Sequence, residues 1–322
     1  MKADLMLIGV CAFWGSSVPV TKLALEDLQE LNLIAVRFLI AFALGAIVFF
    51  RKMKTDRKTM YYSVILSVNY FFVLAFMTFG VSYTTVSKAG FLTCLAGIFV
   101  PIISFLVLKV KISLKTIICA LTTIIGVYLL TMVGAEVGSG INIGDILCIL
   151  CSMFFAVQII LIGRFVRKAD IVPLTIYHMG FVGVLSLIAS FIFETPSLPT
   201  TGMSWLSVIW LSAVCSIGAG LLQNFAQKNT SETHAGIIFT LEPLFAVLLA
   251  YIFFGEILTL VGYIGCAIIL ASIILLEINF PKRRADQTSS DRLPIDQTPS
   301  EQALPDQAPT NQIPPDQTKR IK

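Results

Sequence analysis

Charge is what this sequence has least of. Only 13% of its 322 residues are Asp, Glu, Lys or Arg, whereas 57% are hydrophobic and mean hydropathy is +0.87. A soluble domain carries roughly 25% charged residues. Fourteen of the charges fall in residues 277–322, which leaves 28 in the first 276. This scarcity excludes an ordinary cytosolic enzyme, a secreted disulfide scaffold and a nucleic-acid binder working through a basic face. Catalytic patterns are missing too: there is no H-E-x-x-H, no G-x-S-x-G, no Asp pair inside an apolar stretch and no P-loop. An enzyme is not expected, nor is ATP as an energy source. The seven cysteines all lie in apolar stretches, and Cys148 and Cys151 form a C-x-x-C with no second pair to complete a zinc site. They read as small apolar residues, and neither metal nor cofactor is expected.

What is present is a succession of long apolar runs. A membrane-crossing helix needs about 20 mostly apolar residues. Ten such stretches occur, near 4–23, 32–50, 60–81, 87–108, 114–132, 144–163, 173–193, 205–226, 234–254 and 258–276. They are continuous rather than alternating, which argues against a β-barrel. The first contains Trp14, a Ser pair and Pro19 and leads into no A-x-A-like site, so it reads as an uncleaved span. With the N-terminus placed in the cytoplasm, the inner segments hold sixteen Lys and Arg residues and the outer ones two, Lys22 and Lys88. The outer side carries Glu26, Asp27, Glu30, Glu136, Asp145, Glu194 and Glu256. The positive-inside rule then puts both termini in the cytoplasm of a cell-membrane protein.

The two halves align weakly with each other. At an offset of 141, Phe13 falls on Phe154, Trp14 on Phe155, Ser17 on Gln158, Asn32 on Pro173 and Arg37 on His178. From the third span onward the offset becomes 146, and Thr-Thr-Val-Ser-Lys-Ala-Gly (84–90) meets Thr-Ser-Glu-Thr-His-Ala-Gly (230–236). Five spans per repeat is an odd number, so the second repeat enters the membrane from the opposite side. Inverted repeats with a midplane site are a recurrent build of secondary transporters. Chance alignment of two apolar stretches is the competing reading.

Phe13-Trp14-Gly15-Ser16-Ser17, Arg37-Phe38, Ile143-Gly144-Asp145 and Gln223-Asn224-Phe225-Ala226-Gln227-Lys228 resemble the drug/metabolite transporter superfamily, EamA type. So do Leu241-Glu242-Pro243-Leu244-Phe245-Ala246 and, further on, Gly255-Glu256. The resemblance spans about residues 3–277. In the first half the family's Gly-Glu pair is replaced by Lys109-Val110, so only Glu256 can supply that carboxylate. The resemblance implies an all-α fold of ten transmembrane helices in two inverted five-helix repeats, residues 3–132 and 144–277, joined by an outer linker at 133–143. It further implies transport of small organic metabolites, often amino acids or drug-like compounds, with efflux common.

Ionisable groups deep in a bilayer cost roughly 2.5–3.5 kcal/mol or more to insert. Three lie away from the span ends: Arg37, His178 and Glu242. At ~1.5 Å per residue, Arg37 sits about 9 Å below the outer face and Glu242 about 12 Å from the inner one. Glu242 is a candidate site for a cationic group or a coupling proton, with His178 as its partner; the alternative is that it serves the freed backbone beside Pro243. Arg37 either binds or ties helices together. Pro19, Pro101 and Pro243 each remove an N–H inside a span. Their positions beside Trp14, Ser16 and Ser17 place a cavity between spans one, four and nine. Gln158, paired with Ser17 in the repeat, is the first choice among neutral polar groups; Asn69, Tyr70, Gln223 and Asn224 either join it or glue helices together. Residues 278–322, rich in Pro, Gln, Asp and Thr with Asp-Gln recurring every ten residues, read as a disordered cytoplasmic tail.

The sequence thus points to a secondary transporter of small molecules working by alternating access, with a proton or the substrate gradient as the energy source and lipid as its surroundings. A passive channel and a non-transporting sensor or scaffold stay open, as do the substrate, the transport direction, and whether it works as a monomer or a homodimer.

Overall fold

The computed structural model describes residues 2–93, 95–108, 114–129 and 141–278. The expected tail, most of the linker, the basic run at 281–284, Cys94 and the Lys109-Val110 departure lie outside these residues. Among the described residues every regular element is helical: α1 (Lys2–Ala24), α2 (Glu30–Val48), α3 (Arg57–Tyr83), α4 (Val86–Thr93), α5 (Ala96–Leu108), α6 (Leu114–Tyr128) and α7 (Ile143–Phe165). The chain continues with α8 (Ile171–Phe193), α9 (Gly202–Trp210), α10 (Ala219–Lys228), α11 (Glu232–Ile238), α12 (Glu242–Phe254) and α13 (Leu260–Ile278). Among the described residues seven helical stretches are long and apolar enough to cross a membrane, counting Val86–Leu106 and Gly202–Lys228 as single spans. α6, Leu244–Phe254 of α12 and Leu260–Ser272 of α13 are shorter apolar stretches.

The helix ends follow from local chemistry. The Asp56 carboxylate accepts the Thr59 N–H at 2.8 Å and starts α3. Asn142 and Asp145 form a reciprocal capping box at the start of α7. Gly255 closes α12 at φ +63°, a left-handed conformation that favours glycine. Large apolar side chains such as Ile47, Phe72, Phe191, Leu206 and Leu248 are exposed around the bundle. So much uncovered apolar surface suits hydrocarbon rather than water.

Inside, α2 lies along α8, α3 along α7 and α8, α1 along α10 and α12, α7 along α4 and α5, and α6 along α13. Small residues set these approaches. Gly180 and Gly183 of α8 receive Phe42 and Leu39 of α2. A Cβ on Gly144 would stand 2.7 Å from the Gly80 carbonyl oxygen and 2.9 Å from the Thr84 nitrogen, so α7 and α3 meet backbone to backbone there.

The span 202–228 is not α-helical throughout. Leu211–Gly218 is wound as a π-helix between α9 and α10, a device that often marks functional positions. Pro19 and Pro101 lie inside α1 and α5. Around Pro243 the helix is interrupted instead: α11 ends at Ile238, a 3₁₀ turn covers Phe239–Leu241, and α12 restarts with the proline in its first turn.

Gly144→Val should destabilise the protein by about 1–3 kcal/mol through overpacking against backbone that cannot move aside. Gly9→Ala, with nothing within 4 Å of the new methyl, should leave the thermal unfolding midpoint of the detergent-solubilised protein unchanged.

Candidate functional site

A cavity of about 20 Å³ lies within the bundle, room for a water molecule but not for a metabolite. α1 contributes Trp14, α2 Phe38 and α3 Tyr70 to its wall. α7 adds Gln158 and Ile162, and α8 adds Thr175, His178 and Met179. The π-helical stretch supplies Cys215 and Ser216, and α10 supplies Gly220, Gln223 and Asn224. The proline pattern placed the cavity between spans one, four and nine, and this is corrected: among the described residues none of α4, α5 or α12 lines it. The physical reason is that the polar side chains face inward from α7, α8 and α10, while Pro101 sits in an apolar helix.

Hydrogen bonds join the sequence candidates into a chain. Asn69 Nδ2 donates to Gln158 Oε1 at 2.8 Å, Gln158 Nε2 stands 3.5 Å from His178 Nε2, and the His178 ring lies 5.2 Å from that of Tyr70. Ser67 donates to the His178 carbonyl at 2.9 Å, fixing α3 against α8. Trp14 donates to the Cys215 carbonyl at 3.1 Å, and its ring meets Phe155, its partner in the repeat alignment, at 5.4 Å. Ser16 accepts from Trp210 at 3.1 Å and lies 3.6 Å from the Cys215 sulfur. Arg37 is 8% exposed, and its Nε donates to Ser216 Oγ at 2.8 Å. Ser17 makes no described side-chain hydrogen bond and does not line the cavity.

Glu242 is not joined to His178 by any described hydrogen bond. Its backbone lies against α1, where Gly15 lets the Glu242 carbonyl come close. It lies within electrostatic range of Cys11, Tyr70, Cys151 and Cys215. Tyr70 and Cys215 are within range of Arg37 as well. The two charged groups therefore flank the same small region from different sides. Gln223 Nε2, Asn224 Oδ1 and Gln227 Oε1 are buried without a hydrogen-bond partner. Such orphaned groups call for a ligand or water.

Sequence reasoning missed Thr175, Met179, Ser216 and above all Cys215, dismissed with the other cysteines. The Leu211–Gly218 winding that turns Cys215 and Ser216 inward has no local signature that could have given it away. Among the described residues no cluster of three or more His, Cys, Asp or Glu is arranged to hold a metal.

One end of the bundle is closed by carboxylates reaching between the halves. Glu194 accepts from the Leu31 and Asn32 N–H groups, each at 2.8 Å, and so caps α2. Glu256 accepts from the Val86 and Ser87 N–H groups at 3.1 and 3.0 Å and caps α4. The lone family glutamate is thus a helix cap. Asp27 is held below the usual carboxylate range by the Thr200 hydroxyl and N–H, so this clamp favours the folded state above that range and weakens as pH falls through it. Asp145 accepts from Thr84 at 2.6 Å and pairs with Lys88 at 3.7 Å, with side chains only 1% and 7% exposed. At the opposite end, His234 meets Asp4 at 2.9 Å, and Arg167 pairs with Glu232 at 3.6 Å.

The sequence profile of the EamA-like transporter family matches residues 1–132 and again residues 142–278. The chain belongs to the EamA-like transporter family. An uncharacterized transporter of Archaeoglobus fulgidus is 33% identical over 280 residues, covering 86% of each chain. The uncharacterized transporter YetK of Bacillus subtilis is 26% identical over 290 residues, covering 85% of this chain and 86% of its own. A solved crystal structure superposes with a TM-score of 0.64 at 19% identity, covering 85% of this chain and 96% of that one, and so shares the fold. The protein is accordingly a multi-pass membrane protein related to transporters.

Lys88→Met should cost about 3–5 kcal/mol, because it leaves the Asp145 carboxylate buried and unpaired. Adding Asp145→Asn should restore part of the loss in thermal denaturation.

Proposed function

We propose that the protein is a secondary transporter of small organic metabolites, such as amino acids or drug-like compounds, working by alternating access in the efflux direction with a proton as the coupling ion. One observation carries this reading: equivalent ion pairs stand at opposite ends of a bundle with a polar cavity between them. At the offsets of 141 and 146 in the sequence, Asp4 corresponds to Asp145 and Lys88 to His234. The Asp145–Lys88 pair and the Asp4–His234 pair are then the same contact made twice, once at each end.

Helix packing supports the underlying architecture of ten helices in two inverted repeats, over 3–132 and 144–277. Exchanging each helix for its counterpart turns the α3–α7 contact into that of α1 with the 202–228 span. It likewise turns α1–α12 into α7 with α4 and α5, and leaves α2–α8 and α6–α13 unchanged, all of which occur. The double match of the family profile points the same way. Rocking one repeat against the other would open one pair as its counterpart closes.

The cavity holds a water-sized space as it stands, so passage of a metabolite requires such opening. The sorting of Lys and Arg supports a cytoplasmic Asp4–His234 end in a cell-membrane protein with both termini inside. Glu242, in the interrupted helix beside Gly15, is the group proposed to carry the coupling proton, and the orphaned amides of α10 are proposed to contact the substrate.

Reconstitution into liposomes tests this. Wild-type protein should accumulate substrate against its gradient when a pH gradient is imposed. Folded Glu242→Gln should lose that accumulation but keep saturable exchange of labelled for unlabelled substrate. Flux that never saturates would identify a passive facilitator, and intact pH-driven accumulation in Glu242→Gln would remove the proton from that carboxyl.

A further inference from the structure

Arg37 is a buried cation without a buried anion. Its Nε uses one donor on Ser216, its guanidinium lies 5.1 Å from the Phe38 ring centroid, and it is 8% exposed. Among the described residues no Asp or Glu pairs with it. Lys88, another buried cation, has Asp145 at 3.7 Å. A guanidinium offers five N–H donors in a planar fork, and burying one without a counter-charge is costly. A cation–π contact offsets only part of that cost. The Ser216 that holds Arg37 forms part of the cavity wall, and among the described residues no Asp or Glu lines that cavity.

A second opening lies further along the same two helices. A pocket of about 450 Å³ is walled by Ile171, Val172 and Pro173 of α8 and by Phe225 and Lys228 of α10. Lys52, Lys54 and Asp170 complete its rim, giving three cations against one anion. One turn further in, Asn224 Nδ2 donates to Thr175 Oγ1 at 2.6 Å, and both residues also line the inner cavity. The Asn224–Thr175 bond thus stands between the two spaces.

We propose that Arg37 receives the carboxylate of the transported molecule, which arrives through the lysine-rimmed pocket by parting the Asn224–Thr175 bond. The proposal rests on the transporter reading above and narrows its substrates to small organic carboxylates. A carboxylate matches the guanidinium fork in a bidentate pair, Phe38 and Met179 offer apolar contact to its organic body, and the lysines raise the local concentration of anions at the mouth.

The test uses matched sets built on alanine, leucine and phenylalanine: the amino acid, its primary amide and the deaminated acid. Purified protein should be thermally stabilised by acids and not by amides. Arg37→Gln should weaken acid binding by about tenfold or more, the size of a charged hydrogen bond, and Arg37→Lys should recover part of it. Stabilisation by amides equal to that by acids, or none by the acids, overturns the proposal, as does unchanged acid preference in Arg37→Gln. If Arg37 variants fail to fold, Lys52→Gln/Lys54→Gln/Lys228→Gln serves instead. In liposomes it should slow acid flux and remove its dependence on ionic strength, with no such change overturning the lysine-lined route. Saturable flux of amides alone would sink the anion site and leave the transporter standing. Acid binding without flux of any compound would sink the transporter and leave the anion site.

Discussion

A charge carried into a bilayer must meet an opposite charge or a set of hydrogen bonds, and the rest of this structure follows from how that demand is met. At one end of the bundle, acidic side chains solve it by serving the other half of the molecule. Glu194 caps α2, Glu256 caps α4, Asp27 binds Thr200, and Asp145 takes both Thr84 and Lys88. Each contact satisfies backbone or side-chain groups that would otherwise be orphaned at a helix end. Together they tie the halves along one face. At the other end the described His234–Asp4 tie is more exposed, the two side chains being 39% and 40% accessible, and the wider pocket lies at that end.

The same demand explains why the interior is organised around neutral amides. Asn69, Gln158 and His178 satisfy one another in sequence, and Ser63 and Ser67 donate to the backbone of α8. α10 is less fully satisfied, with three buried amide atoms lacking partners on successive polar residues. Each such group costs free energy in a medium without water.

Much of the fold was legible along the chain. Apolar run lengths marked out the helices, seven of which among the described residues are long and apolar enough to cross a membrane, and the charges that interrupt the runs marked ends where the structure shows caps and ion pairs. Trp14 and Phe155, set on each other by the alignment, have rings in contact, a pairing the alignment by itself did not give. The site was legible in part. Tyr70, Gln158, His178, Gln223 and Asn224 stood out as polar residues in apolar surroundings, and they do line one cavity. Cys215 and Ser216 did not stand out, because a small residue in an apolar run reads as packing. The cavity was misplaced among the spans because a proline shows that a helix is interrupted, not which neighbour faces the interruption.

From the sequence alone came the membrane class, the helical spans, the charged groups that had to be accounted for and the duplicated pattern. These depend on local quantities: run length, residue type and spacing. Tertiary structure decided which of those groups meet. It gave Glu256 to α4 as a cap, left Arg37 without an ion pair among the described residues, and set Cys215 and Ser216 of the π-helical stretch in the cavity wall. Such pairings join residues up to 230 positions apart. They are set by how helices pack side by side, which no stretch of chain encodes by itself.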